Sequence, residues 1–418
     1  MEFRVNFFRY ISYGLMALVL AALSACSKQV PVNKTQQAAT AMPLILISID
    51  GFRADYLKRG LTPALVQMAD QGARAESMRP SFPSITFPNH YTLVTGLRPD
   101  HHGIVSNTME DAAIPGGQFK LSRHEAVTDR RWWDQAEPVW VSAEKAGMRS
   151  ATMYWPGSEA DIHGVRPSYW KVFDHKVSAE ERVDQLLAWL DLPPSQRPAF
   201  LTLYFDEVDH MGHEYGPDSE QVNEALRHVD SAVGRLVVGL SKRQLTANIV
   251  VVSDHGMTAT SEQRLIQLKP LLPAGSYRFV VSGAYAGLEP VAGHERELAA
   301  ALAKTHPHMQ CWPKAQIPAR FEYGHNPRVP AYICLADAGW LIVDEKKAGE
   351  KTSAGAHGYD NFLPEMGALF IAQGPAFRSH QVLARLDNVD VYPLLMHLLN
   401  VPGQPSDGKA EATAALLK

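Results

Sequence analysis

The chain has 418 residues, of which 46% are hydrophobic and 20% charged, with a formal net charge of −4. That composition is ordinary for folded protein and excludes extensive disorder; the length accommodates one large α/β domain with an insertion, or two domains. The negative balance disfavours nucleic-acid binding through a basic face.

In chain order, residues 1–26 read as an export signal. Arg4 and Arg9 precede an apolar stretch, Leu15 to Leu23, that ends in Leu23-Ser24-Ala25-Cys26. A short apolar core closed by small residues is a secretory signal rather than a membrane span. Cys26 directly after Leu-Ser-Ala resembles a bacterial lipoprotein signal. That resemblance implies a lipidated Cys26 and a membrane-anchored protein facing the periplasm. Ser27, not being Asp, leans the anchor toward the outer membrane. Residues 27–41, rich in Gln, Lys, Thr and Ala, read as a flexible tether. Cys311 and Cys334 then remain, which in an exported chain form one disulfide or stay as two buried thiols.

Leu44-Ile45-Leu46-Ile47-Ser48-Ile49 is a continuous apolar run, the pattern of a strand buried on both faces, and it ends in Asp50-Gly51. A helix follows, opened by Thr62 and Pro63 and closed by Gly72. Thr86, with Pro88 two residues on and Tyr91-Thr92-Leu93-Val94 behind, falls at a helix N-terminus. Backbone N–H groups and the helix dipole favour an anion there. The competing reading of Thr86 is a simple N-cap. Residues 109–140 carry only short pieces. Ser150 to Trp155 and Ala199 to Phe205 read as further strands, with a helix from Glu180 to Leu190 between them. The second of these strands runs into Asp206-Glu207-Val208-Asp209-His210-Met211-Gly212-His213. A long helix then reaches Leu240, with Val222, Leu226, Val229, Val233 and Leu236 on one stripe. Asn248 to Ser253 is a fourth buried strand, ending in Asp254-His255-Gly256. Residues 263–351 change character and read as an inserted subdomain, leaving 42–262 and 352–418 as the main domain. The chain closes with a strand at Gly367–Ala372 and a helix at Val391–Leu399, where Pro393 introduces a potential kink.

This alternation predicts an α/β fold whose strand ends share one sheet edge. Asp50, Asp209, His213, Asp254, His255 and His357 all fall at or just past such ends. Mixed Asp and His suits zinc or a similar first-row ion, whereas all-oxygen sets suit magnesium or calcium. Six donors plus Thr86 exceed one tetrahedral site and fit two ions roughly 4 Å apart, as in phosphoryl transfer. Taken singly, each has a blander reading: a loop for Asp-His-Gly, a helix cap for a strand-end Asp. His90, His101, His102, His163 and His210 read as structural or surface residues.

Several motifs together resemble the nucleotide pyrophosphatase/phosphodiesterase family of the alkaline-phosphatase superfamily. They are Asp50-Gly51-Phe52-Arg53, Thr86-Phe87-Pro88-Asn89-His90-Tyr91, the run Thr95 to Ile104, Asp209 with Gly212-His213, Ser253 to Met257, and Gly355 to Asn361. The resemblance, to a bacterial member given the leader, implies an alkaline-phosphatase-like three-layer sandwich with a central, mostly parallel sheet. It implies that Thr86 is the nucleophile and that two Zn²⁺ ions are held, one by Asp50, Asp254 and His255 and contacting the Thr86 oxygen, the other by Asp209, His213 and His357. It implies that Asn107, with the Thr86–Phe87 backbone, binds a phosphate oxygen, and that Phe87 and Tyr204 flank a base. The expected activity is cleavage of nucleoside triphosphates or dinucleotides to release nucleoside monophosphate. A phospholipid diesterase or phosphomonoesterase on the same fold is the alternative. Thr86 and Asn89 depart from the residues a sulfatase requires, and no Arg adjoins Thr86 to grip a monoester. A scaffold that binds without turnover is disfavoured because all seven candidate residues are present.

Overall fold

A computed structural model describes residues 42–346 and 351–418. The export signal, Cys26 and the tether lie outside the described residues. Among the described residues no helix is long and apolar enough to cross a membrane. The described residues form one compact unit.

Strand β1 (Leu44–Ile49) is buried along its whole length. Its alternate residues serve two cores: Leu44 and Leu46 enter one, Ile45, Ile47 and Ile49 the other. Successive side chains of a strand point to opposite faces, so this split requires cover on both sides of the sheet. The remaining strands of that sheet are β2 (Ala73–Ala75), β3 (Ser150–Met153), β4 (Tyr169–Trp170), β5 (Phe200–Phe205), β6 (Asn248–Val252), β7 (Phe370–Gln373) and β8 (Gln381–Leu383). Their order across the sheet is β8-β2-β7-β6-β1-β5-β3-β4. β1 pairs in parallel with β5 and β6, and β3 with β5 and β4, whereas β7 runs antiparallel to β6 and β2. Helices α1 (Pro63–Gln71), α3 (Ala179–Leu190) and α5 (Glu220–Lys242) cover one face. Helices α2 (Thr86–Thr95) and α6 (Val391–Leu399) cover the other. This is the expected three-layer α/β sandwich with a mostly parallel sheet.

Local chemistry explains the departures from expectation. β3 stops at Met153 because Tyr154 takes φ 65°, a left-handed conformation that ends the pleat. The strand expected from Gly367 begins at Phe370; Ala368 instead makes isolated bridges to Arg53 and Met78. Pro393 lies in the first turn of α6, where its missing N–H breaks no helical bond, so no kink is required. The Thr62 side chain does not cap α1. Asp230 of α5 does so from outside, accepting from the N–H groups of Ala64 and Leu65 at 3.0 and 2.8 Å, a substitute of the kind worth about 1 kcal/mol.

Within 263–351, strands Tyr277–Val281, Tyr285–Pro290, Tyr332–Ala336 and Met309–Pro313 form an antiparallel sheet in that order. Cys311 and Cys334 face each other across it and are disulfide-bonded. The core under this sheet also takes in Ala356, Tyr359 and Met366 from beyond residue 351. Two buried charges fasten the segment to the rest. The Asp100 carboxylate accepts from the backbone N–H groups of Gly324, His325 and Asn326. The Arg328 guanidinium donates to the carbonyls of Gly103, Arg131 and Trp132.

Candidate active site

Register places the catalytic candidates. Ile49 of β1 lies beside Phe205 of β5, and Ser48 beside Val252 of β6. Three neighbouring strands therefore stop level, and the residues that follow them share one edge of the sheet. Asp50 follows β1 and is buried; Tyr204 Oη donates to its Oδ2 at 2.6 Å. Gly51 has φ 68° and its N–H donates to Asp254 Oδ1 at 3.2 Å; a Cβ there would stand 2.9 Å from Asp209 Cα. Glycine is thus required twice over, for the turn and for the approach of helix α4 (Glu207–Tyr215). On α4, Asp209 and His213 occupy the same side one turn apart, with Oδ2 and Nε2 3.5 Å from each other. β6 ends at Val252, so Asp254 and His255 lie past the pleat and both reach the centre. Gly256 permits this by close packing, since a Cβ would meet the Glu365 carbonyl at 2.1 Å.

Thr86 is the first residue of α2; Ile85 is the N-cap, so Thr86 is not a capping residue. Its hydroxyl lies 3.4 Å from His255 Nε2. The three histidines share one arrangement. Nδ1 of His213, His255 and His357 faces the carbonyls of Gly355, Gly256 and Ser84 at 2.8, 2.9 and 3.0 Å. A carbonyl only accepts, so each Nδ1 carries the proton and each Nε2 turns inward as a lone pair. His213 Nε2 and His357 Nε2 stand 3.0 Å apart, and the His255 and His357 rings stack at 3.5 Å. Asp50 Oδ1 and Asp209 Oδ1 are buried with no hydrogen-bond partner, and the equally buried Asp254 Oδ2 has only the His255 Nε2 atom close by, at 2.9 Å. Inward lone pairs on imidazoles beside unpartnered carboxylates are the donor set of a divalent cation.

Burial and neighbouring charges pull the groups of this cluster in different directions. Burial, then the charges of Asp254 and Asp209, push the Asp50 carboxyl well above the usual range. Burial opposes ionisation of Asp254 too, yet His255 and His90 beside it hold that carboxyl low. Burial opposes protonation of His255, but the Asp254 charge raises it. Burial and the neighbouring imidazoles of His255 and His213 push His357 well below its ordinary value. Asp50, Asp254 and His255 converge within 4.8 Å of one another, and so do Asp209, His255 and His357. His255 therefore stands between the two groups, and His213 joins the second through its contact with His357.

The other histidines have separate partners. His90 is buried, its Nε2 beside Ser48 Oγ at 2.8 Å and its Nδ1 beside the Thr86 carbonyl at 2.9 Å. Burial pushes His102 down to about 3. His101 pairs with Asp407, His163 with Glu137, and His210 is exposed near Glu214.

A cleft of about 550 Å³ opens over Thr86, lined by Phe87, Asn107, Leu121, Trp155, Phe173 and Tyr204 among others. Two expectations change here. Asn107 Oδ1 accepts the Phe87 N–H at 2.9 Å, so that N–H is already used and only the Asn107 amide N–H₂ and the Thr86 N–H remain for a phosphate oxygen. Tyr204 is 9% exposed and its hydroxyl is held by Asp50, so it offers little stacking surface. Phe173, 43% exposed and packed edge-on to Tyr154 and Tyr204, presents the open aromatic face instead. Sequence reasoning missed Phe173 because it lies in a loop with no periodic signal.

A hydroxyl at a helix N-terminus, set among three carboxylates and three inward imidazoles at the strand ends of an α/β sandwich, defines a metal-dependent hydrolase of phosphoryl-type esters. Residues 44–360 match the family described as type I phosphodiesterase / nucleotide pyrophosphatase, and the chain belongs to that family. It is similar to bis(5'-adenosyl)-triphosphatase enpp4 of Xenopus laevis, at 38% identity over 96% of this chain and 86% of that protein. It is 41% identical, over 89% of this chain and 80% of the relative, to an uncharacterized pyrophosphatase/phosphodiesterase of Schizosaccharomyces pombe. Among solved structures, murine ectonucleotide pyrophosphatase/phosphodiesterase 5, as an inactive threonine-to-alanine variant in complex with AMP, superposes with a TM-score of 0.86. That match has 36% identity and covers 90% of this chain and all of the other. These relatives are eukaryotic; a bacterial origin rests on the leader alone. The chain is a nucleotide pyrophosphatase/phosphodiesterase-type hydrolase.

Proposed function

We propose that this chain is a two-zinc enzyme that cleaves nucleotide phosphodiesters and phosphoanhydrides, in nucleoside triphosphates or dinucleotides, and releases nucleoside monophosphate through a covalent Thr86 intermediate. The observation that carries the reading is the convergence of buried Asp50, Asp209 and Asp254 carboxylate oxygens with three inward Nε2 atoms, one of which, on His255, lies 3.4 Å from the Thr86 hydroxyl. Asp50, Asp254 and His255 would hold one ion and Asp209, His213 and His357 the other. Bound there, zinc would lower the pKa of a coordinated hydroxyl or water and offset charge on phosphorus oxygens.

Thr86 Oγ attacks phosphorus, the bond to the leaving oxygen breaks, and water later cleaves the Thr86 ester to restore the hydroxyl. The Thr86 N–H and the Asn107 amide, both in the cleft, would meet a non-bridging oxygen. Phe87 and Phe173 are the aromatic surfaces for a base. The AMP bound by the murine relative supports a nucleoside monophosphate as the bound portion.

The test compares kcat/KM for a nitrophenyl ester of thymidine monophosphate with that for nitrophenyl phosphate, using protein that starts at Ser27. The diester is expected to win by about a hundredfold or more, with loss of the activity on chelation and return with zinc. A preference for the monoester would move the protein to the phosphatase branch.

The leader supports export and a lipid anchor at Cys26, on the periplasmic side of a bacterial outer membrane. Expressed in a bacterium, the full chain is expected in the membrane fraction, and Cys26→Ser in the soluble periplasmic fraction. Equal membrane recovery of both would remove the anchor.

A further inference from the structure

A carboxylate on the wall of a cleft built for an anionic substrate repels that substrate, so its presence calls for another role. Glu159 is such a group. It lies in the turn after β3, lines the cleft and is 7% exposed. Both of its oxygens are committed. Oε1 accepts the Phe173 N–H at 3.0 Å, and Oε2 accepts from His124 Nε2 at 3.1 Å. Its carbonyl accepts from the Arg166 guanidinium at 2.8 Å, which fixes the carboxylate's own backbone. The two partners belong to different walls. Phe173 carries the open aromatic face. His124 begins the short helix His124–Val127, whose Val127 carbonyl is held by Trp133 Nε1 at 2.9 Å. Trp133 in turn packs against Phe87, ring centroids 6.0 Å apart. A chain of contacts therefore runs from Phe173 through Glu159, His124 and Trp133 to Phe87. Gly157, two residues before Glu159, has φ 89°, and a Cβ there would meet the Trp133 ring at 2.8 Å, so the turn is seated against the same indole.

We infer that Glu159 is a positioning residue that ties the Phe173 wall to the His124–Phe87 wall and so sets the width of the cleft for a planar base. The inference rests on the nucleotide reading of the site. Glu159 touches no reacting atom; it acts by holding the two faces a base would enter.

The test measures Glu159→Ala and Glu159→Gln against two diesters, the nitrophenyl ester of thymidine monophosphate and bis(4-nitrophenyl) phosphate. Glu159→Ala is expected to raise KM for the thymidine ester about tenfold while kcat changes by less than about threefold. The preference for the thymidine ester over the base-free diester falls with it. Glu159→Gln keeps an acceptor for the Phe173 N–H and is expected to recover most of the preference. Parallel loss on both diesters, or an unmoved preference, would overturn the positioning role. Failure of the wild-type protein on the thymidine ester, with turnover of the base-free diester, would overturn the nucleotide reading and this inference together. Wild-type preference with an unmoved Glu159→Ala preference would overturn only the latter.

Discussion

Thr86→Ala is expected to lower kcat for the thymidine ester by about ten-thousandfold or more, the scale seen when a nucleophile is removed from an intact site. The substitution removes the hydroxyl and the γ-methyl group from the first residue of α2 and leaves its backbone in place. Thr86 caps no helix, and the Thr86 carbonyl that holds His90 belongs to the backbone and stays. The unpartnered carboxylates and inward imidazoles also stay, so metal content is expected to be unchanged by elemental analysis. Thr86→Ser keeps an attacking oxygen and is expected to retain measurable turnover. Diesterase activity of Thr86→Ala within about tenfold of wild type would sink the nucleophile assignment.

The second large effect separates the two groups of donors. His213→Ala removes a donor at the outer end of the constellation, half-exposed and 3.0 Å from His357. It is expected to lose one ion of two and cost about a hundredfold or more in kcat/KM. His255→Ala removes a fully buried imidazole that reaches both groups. Without it, Asp254 also loses the neighbour that holds its carboxyl low. This variant is expected to lose more than one ion and at least tenfold more activity than His213→Ala. Elemental analysis of purified protein together with kcat/KM decides it. Equal metal loss in the two variants would show that His255 is not shared.

Much of this was legible in the chain because strand ends announce themselves. A run such as Leu44–Ile49, with Ser48 as its one polar residue, has no polar face to turn to water on either side, so it reads as a central strand, and the Asp-Gly that follows falls at the sheet edge. The same logic located Asp254 and His255 after Asn248–Val252, and Asp209 after Phe200–Phe205; the structure brings all of them to one place. What the chain did not disclose depends on approach between distant segments. Asp230 substitutes for Thr62 as a helix cap only because α5 packs beside α1. Asn107 gives its carbonyl oxygen to Phe87, which no spacing reveals. Phe173 and Glu159 belong to irregular backbone, where neither a period of 2 nor one of 3.6 marks a residue. The family resemblance makes Tyr204 a surface flanking a base, whereas burial and Asp50 turn it into a hydrogen-bond donor to a candidate ligand.

The donors run from Asp50 to His357, so the residues that would bind metal come from nearly opposite ends of the folded chain. The first group forms only when the ends of β1 and β6 lie side by side, and the second only when α4 meets the end of β6 and the segment that carries His357. Ion binding is therefore expected to be linked to the packing of these distant segments, and the choice of ion to the place where they assemble. Imidazole–carboxylate sites discriminate weakly among late first-row ions, so supply at the place of folding governs occupancy. Under the export proposed from the leader, that would be the ion pool outside the cytoplasm.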